Sequence, residues 1–245
     1  MNTDLSGKIA VVTGASKGIG LAISQALADS GAHVIAGARH TGPELQALVD
    51  AGRATFVAAD LATPEGPAAL VAAAAERGGL DILVNNAGAV VAHPGGFTSV
   101  TDDDWQAAIS LNLLSVVRTT RAAIPLLLAR GGGSIVIIGS VNAVLPDPPI
   151  VEYCVTKAAV ANLSKVLSKE LGPQGIRVNI ISPGPVSTPL WLDDGGMADQ
   201  FAAAAGTTAE QLVESVAAGA PTGRFTTPQE VADLALFLAG DRSAN

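Results

Sequence analysis

Apolar residues along the chain change spacing repeatedly, from short unbroken runs to stripes recurring every three or four positions. The unbroken runs predict strands over Ile9–Thr13, His33–Gly37, Ala54–Ala58, Ile82–Asn85, Ser134–Ile138 and Ile176–Ile181. The stripes predict helices over Ile19–Ser30 (closed by Gly31), Pro43–Ala51, Pro64–Arg77, Thr101–Ala129, Val151–Leu171 and Glu230–Ala239. Pro125 should bend the long fourth helix, because proline donates no backbone hydrogen bond. Gly172-Pro173 should stop the fifth.

Strands that are apolar throughout must be covered on both faces, and strands that alternate with helices pair in parallel. Right-handed crossovers then give an α/β fold of the doubly wound, Rossmann type, with helices on both sides of one sheet. No internal repeat and no Pro-, Gly- or Ser-rich linker divides the chain, so residues 1–245 read as one domain. The stretch from about 184 to 221 has no strand pattern and carries two short helical stretches. In a regular fold such an excursion reads as a substrate lid.

Composition narrows the function classes. Apolar residues make up 49% of the chain and charged ones 15%, so a large core is available. Aromatics are only 3%, so Ala, Val, Leu and Ile must fill it. A net charge of −8 without a dense Lys/Arg cluster disfavours nucleic acid as a partner. Cys154 is the only cysteine, which excludes an internal disulfide and a multi-cysteine metal site. His33, His40 and His93 lack ligand spacing, so no metal is expected. The start, Met1-Asn2-Thr3-Asp4, lacks the pattern of a signal peptide. Charge-free stretches such as 178–192 are broken by Pro, Gly and Asn, so a cytoplasmic protein without a membrane partner is expected.

The segment Thr13-Gly14-Ala15-Ser16-Lys17-Gly18-Ile19-Gly20 joins the first strand to the first helix. Gly14 permits a tight turn, Gly18 lets backbone approach a pyrophosphate, and Gly20 lets helix pack on strand. Free N–H groups at the helix start would meet the phosphates. No Gly-Lys-Ser/Thr follows, which disfavours a nucleoside triphosphatase loop. An NAD site asks for a carboxylate near the end of the second strand. Here Ala38-Arg39 stand instead, and the Arg39 guanidinium suits a 2′-phosphate, with Lys17 as a second cation. NADP(H) is therefore expected over NAD(H); the alternative is that both are solvated surface cations.

Tyr153 and Lys157 lie four residues apart on a predicted helix, hence on one face. Tyrosine is a poor base at neutral pH, and a neighbouring ammonium favours its phenolate. Ser140 follows the fifth strand at the carboxyl edge of the sheet, where ligands bind in this architecture, and could hold a substrate oxygen. Its alternative role is that of a loop serine capping backbone.

Together these motifs resemble the short-chain dehydrogenase/reductase family, in the subgroup with chains near this length. Thr13-Gly14-x-x-x-Gly18-Ile19-Gly20, Asn85-Asn86-Ala87-Gly88, Asn112, Ser140, Tyr153-x-x-x-Lys157 and Pro183-Gly184 match family motifs in order, across almost the whole chain. The resemblance implies Tyr153 as general acid/base and Lys157 as the group that lowers its pKa and holds the nicotinamide ribose. It implies that Ser140 positions the carbonyl and that Asn112 holds a water linking Lys157 to solvent. Cofactor contacts are implied for Gly14, Ser16, Lys17, Gly18, Ile19 and Gly20, for Arg39, for Asp60 and Leu61 at the adenine, and for Asn86, Ala87 and Gly88. They are implied also for Pro183 and Gly184, and for Val186 and Thr188 at the nicotinamide amide. The family pattern continues into a seventh strand with an Asp-Gly-Gly segment, which would lie beyond Asn245. A homotetramer (or a dimer) is also implied, and the two long helices carry apolar residues on more than one face, as subunit burial would need.

The expected lid carries Leu190, Trp191, Leu192, Met197 and Phe201, with Asp193, Asp194, Asp199, Glu210 and Glu214 and no Lys or Arg between Arg177 and Arg224. A phosphorylated or coenzyme A-linked substrate would want cations there. The expected substrate is a neutral, fairly hydrophobic ketone, aldehyde or secondary alcohol; the alternative is that these apolar residues only pack the lid. Two competing functions are a catalytically silent nucleotide-sensing regulator, which would not need Ser140, Tyr153 and Lys157, and a methyltransferase, which would want an acid at Ala38 or Arg39. Cys154 is read as a small apolar-like residue rather than a redox group.

Overall fold

The computed structural model describes residues 3–244. Six strands, β1 (Ile9–Thr13), β2 (His33–Ala38), β3 (Ala54–Ala58), β4 (Ile82–Asn85), β5 (Gly133–Ile138) and β6 (Ile176–Ile181), form one parallel sheet in the order β3-β2-β1-β4-β5-β6. The ten α-helices among the described residues are α1 (Gly18–Asp29), α2 (Pro43–Asp50), α3 (Glu65–Glu76), α4 (Asp102–Ala108), α5 (Ser115–Ala129), α6 (Val151–Leu171), α7 (Pro189–Leu192), α8 (Met197–Ala205), α9 (Ala209–Gly219) and α10 (Pro228–Ala239). The α/β reading is thus the observed architecture, a doubly wound sheet with helices on both faces.

The strands are mostly apolar because alternate residues feed two different cores. Ala10 and Val12 join Ile23, Leu27, Leu45, Val231 and Ala235 beneath α1, α2 and α10. Ile9 and Val11 join Leu70, Leu83, Leu127 and Val160 beneath α3, α5 and α6. One strand thereby serves two layers. At its far edge β6 is tied to the end of α10 by Arg177, whose guanidinium donates to the carbonyls of Leu238 (2.7 Å), Gly240 (3.1 Å) and Ala239 (3.3 Å). Carbonyls at a helix C-terminus have no partner in their own helix, so a cation there is doubly favourable.

Two expectations about the long fourth helix need correction. It is not a single α-helix: a π turn over Ile109–Leu114 separates α4 from α5, and Pro125 lies inside α5. By length and composition the run Asp102–Ala129 is also apolar enough to cross a membrane, with mean hydropathy 1.3 in its best window, against the expectation that no segment is. Here its Val116, Ala123 and Leu127 pack into the core beside the sheet. The segment 184–221 contains three helices, α7, α8 and α9, where two short helical stretches were expected.

Candidate active site

Strand order decides where the site lies. The chain runs from β1 outward to β3, then crosses back to β4, so β1 and β4 are neighbours whose connections leave in opposite directions. A crevice opens at their carboxyl ends. The turns after β1, β2, β3, β4, β5 and β6 bring Gly14–Gly20, Arg39, Asp60 and Leu61, Asn86–Gly88, Ser140, and Pro183 and Gly184 to this one edge.

Thr13 knits the crevice, a role not assigned from sequence. Its hydroxyl accepts the N–H groups of Asn86 (2.8 Å) and Ala87 (2.9 Å), while Asn86 Nδ2 donates to the carbonyls of Thr13 (2.9 Å) and Gly14 (3.1 Å). The glycines are sterically required. Gly14 has φ +67°, and a Cβ there would stand 3.0 Å from the Ala87 Cα. A Cβ on Gly20 would overlap the Gly14 carbonyl oxygen, so only glycine lets α1 start against β1.

These residues fit a dinucleotide. Helix α1 begins at Gly18 with no side-chain cap on its free N–H groups, leaving them for an anion. A Cβ on Gly18 would come within 3.3 Å of Thr188, so the glycine turn and the segment carrying Thr188 face each other across the crevice. Ser16 is half-buried in the turn and Val186 is buried. Lys17 and Arg39 are exposed, without an ion-pair or hydrogen-bond partner among the described residues. Asp60 accepts the Ala62 N–H (3.0 Å), which shapes the turn after β3 where Leu61 is buried.

The reacting groups come from three elements. Lys157, on α6 one turn after Tyr153, is buried and donates to the Ile138 carbonyl at the end of β5 (2.9 Å). Its ammonium stands 5.6 Å from the centre of the Tyr153 ring. Ser140 Oγ accepts the Asn142 N–H (3.1 Å) and donates to Asn142 Oδ1 (3.0 Å), so this serine does cap backbone while also reaching the phenol. Asn112 sits in the π turn, which turns it inward. Its amide is bonded both ways to Ala89, accepting the N–H (2.8 Å) and donating to the carbonyl (2.9 Å). A side chain so engaged holds the Asn86–Ala89 turn; a water, as the sequence reading implied, would have to be held by other atoms of Asn112. Gly88 separates the two polar groups: a Cβ there would lie 3.2 Å from Asn112 Oδ1 and 3.6 Å from Lys157 Nζ.

The expected depression of the Tyr153 pKa is not found in the free protein. Burial pushes the phenol above its ordinary value; the bond with Ser140 opposes this, and Cys154 adds to the rise. Burial likewise pushes the Lys157 ammonium down to about 8. Removal from water disfavours both charged forms, and at this separation the cation does not offset it for the phenol. Cys154 behaves as a structural residue: buried, with its thiol pushed up by burial, and accepting the Asp147 N–H at 3.3 Å.

Around Tyr153, the buried residues Ile150, Cys154 and Met197 pack with Val90, Ala92, Trp191 and Phe201. Trp191 stacks on Phe201 (6.4 Å) and meets Phe225 edge-on (5.5 Å). Val144 and Leu145, not singled out in the sequence, stand 78% and 68% exposed after Ser140.

The comparisons with known proteins agree with this geometry. The family model for short chain dehydrogenase matches residues 8–195. The chain belongs to the short-chain dehydrogenase/reductase family. It is 39% identical to the oxidoreductase UcpA of Escherichia coli K12, over 98% of this chain and 90% of that protein. It is 38% identical to 3beta-hydroxysteroid dehydrogenase 1 of Eggerthella lenta, over 100% of this chain and 91% of that one. Among solved structures, L-sorbose reductase from Gluconobacter frateurii, complexed with NADPH and L-sorbose, superposes with TM-score 0.89 at 38% identity, covering 100% of this chain and 94% of that one. Members of this family are NAD(P)-dependent oxidoreductases acting on alcohols and ketones.

Proposed function

We propose that this short-chain dehydrogenase/reductase uses NADP(H) to interconvert a neutral, fairly hydrophobic ketone or aldehyde with its alcohol, acting in the cytoplasm as a homotetramer or dimer. The observation that carries the reading is the meeting of Ser140, Tyr153 and Lys157 at the crevice edge beside the glycine cradle. A pure nucleotide sensor has no use for a phenol and a buried lysine on adjacent turns of one helix beside the cradle.

When bound, the nicotinamide ring would give or take the hydride. Gly14, Gly18, Gly20 and the start of α1 would hold the pyrophosphate, and Arg39 and Lys17 the 2′-phosphate. In carbonyl reduction the Tyr153 hydroxyl donates its proton to the substrate oxygen; in alcohol oxidation the ionised phenol accepts it. Ser140 Oγ holds the same oxygen. Lys157 holds the ribose and, as a cation, favours the phenolate.

Arg39 and Lys17, exposed and without a side-chain partner among the described residues, support NADP(H), as does the NADPH in the sorbose reductase relative. Arg39→Ala is expected to raise the KM for NADPH by roughly tenfold, the loss of a charge-assisted bond, and to leave that for NADH unchanged. Equal effects on both cofactors would remove Arg39 from the 2′-phosphate site.

The apolar cluster of Trp191, Phe201, Met197 and Ile150 packed beside Tyr153 supports a hydrophobic substrate, and the relative named 3beta-hydroxysteroid dehydrogenase 1 is in keeping with it. The test is a screen of carbonyls and alcohols by nicotinamide absorbance with both cofactors. Faster turnover of acyl-coenzyme A ketones than of neutral ones would refute the substrate class. Tight NADP(H) binding without turnover would favour the sensor. For the oligomer, Val155 and Val166 are half-exposed on α6 and Leu128 is exposed on α5. Light scattering at micromolar concentration is expected to give more than a monomer, and a monomeric mass would refute that part.

A further inference from the structure

The segment Ala89–Gly96 leaves β4 and runs along the cleft, and its attachments converge on the reacting groups. Ala89 is held by Asn112, and the Ala92 N–H donates to Gln200 Oε1 of the lid helix α8 (3.2 Å). The His93 N–H donates to the Pro149 carbonyl just before α6 (2.7 Å). Val90 and Ala92 pack against the same buried cluster of Ile150, Cys154 and Met197 that Tyr153, Trp191 and Phe201 cover. This segment is therefore a wall of the substrate cleft.

A fourth attachment involves ionisable groups. His93 Nε2 lies 3.4 Å from Oε1 of Glu152, the residue before Tyr153, with side chains 10% and 4% exposed. A carboxylate in the first turn of a helix is favoured by the dipole, but it gains that in water as well, and Glu152 takes no N–H of α6 among the described residues. Neither Glu152 Oε2 nor His93 Nε2 has a hydrogen-bond partner among the described residues. A buried pair so incompletely satisfied is a poor source of stability, and an apolar pair of similar shape would serve as well or better. Stability alone does not account for it.

We propose that His93 and Glu152 are positioning residues for the reaction: together they fasten the cleft wall to the helical turn that presents Tyr153, and so set the gap in which the substrate meets the phenol. The inference rests on the oxidoreductase reading. Neither residue is a catalytic one, since both act through the wall and the helix.

The test is the double variant H93L/E152M, assayed with the best ketone from the screen, beside wild type and Tyr153→Phe. A misplaced wall is expected to lower kcat by about tenfold or more. The dissociation constant for NADPH should not change, and the thermal midpoint should hold or rise. E152Q, which keeps the size and can still meet the imidazole, should recover most of kcat. The inference is overturned if the double variant keeps kcat within about twofold, or loses it only in step with a falling midpoint. If H93L/E152M does not fold, H93N/E152Q decides by the same readings, because asparagine is too short to hold the wall. Wild type without turnover of any carbonyl or alcohol defeats the oxidoreductase reading and this inference with it. Wild-type turnover with an undiminished double variant defeats this inference alone.

Discussion

Tyr153→Phe is expected to lower kcat/KM by roughly 10²- to 10⁴-fold, the range contributed by a positioned general acid or base. NADPH affinity and thermal stability should stay close to wild type. The substitution removes one oxygen and no apolar volume, and Ser140 keeps its bonds to Asn142. The direction of the Tyr153 shift adds a pH signature. Burial raises the pKa, so the phenol is protonated throughout the neutral range and ready to act as an acid. Carbonyl reduction should therefore stay level through neutrality, while alcohol oxidation, which needs the ionised phenol, should climb as pH rises. Initial rates from nicotinamide absorbance in both directions, on both proteins, check this. A variant that retained more than about a tenth of wild-type kcat/KM would remove Tyr153 from the role.

Lys157→Met is expected to destroy turnover and to stabilise the fold. Lys157 is buried, and its pKa falls from 10.5 to about 8 because burial disfavours the ammonium. At about 1.4 kcal/mol per unit, that shift corresponds to at most about 3 kcal/mol of folding free energy lost at neutral pH. Methionine removes this penalty but leaves the Ile138 carbonyl without its 2.9 Å donor, which costs about 1 kcal/mol. The net expectation at pH 7 is a gain of about 2 kcal/mol, or several degrees in thermal midpoint. The sign reverses toward high pH. Below 8 the lysine is charged in both states and the folded state bears the full penalty. Between 8 and 10.5 only the unfolded chain binds the proton, so wild-type stability rises with pH. Above 10.5 both states are neutral and the penalty is gone. Melting curves at pH 7 and pH 10 are the measurement. A variant less stable than wild type at pH 7, or a gain that persisted at pH 10, would contradict the account. A buried lysine weakens the fold, and its presence is accounted for by what it does beside Tyr153.

Much of this protein was legible from local pattern. The unbroken strands, the stop at Gly172-Pro173 and the limits of the helix Val151–Leu171 follow from spacing and from glycine and proline chemistry, and the structure reproduces them. The motif residues that follow strands, from Gly14 to Gly184, lie at one carboxyl edge because a parallel sheet delivers every strand–helix turn to the same side. What spacing could not give was the π turn around Asn112: inserting one residue into a helical turn leaves apolar periodicity nearly unchanged. Nor did it mark Thr13 as a hub, since the two N–H groups that its hydroxyl accepts come from a strand neighbour 73 and 74 residues away.

The amino-acid order by itself determined the layer architecture, the glycine cradle and the identity of the reacting side chains, because backbone geometry and hydrophobic period act over a few residues. Only the tertiary structure decided how those side chains titrate and what holds them. Burial, set by the whole packed molecule, keeps the Tyr153 phenol protonated where the ammonium four residues on would favour the phenolate, and lowers the pKa of that ammonium. The same packing brought His93 to Glu152 across 59 positions of sequence, an encounter between distant segments that no local pattern encodes.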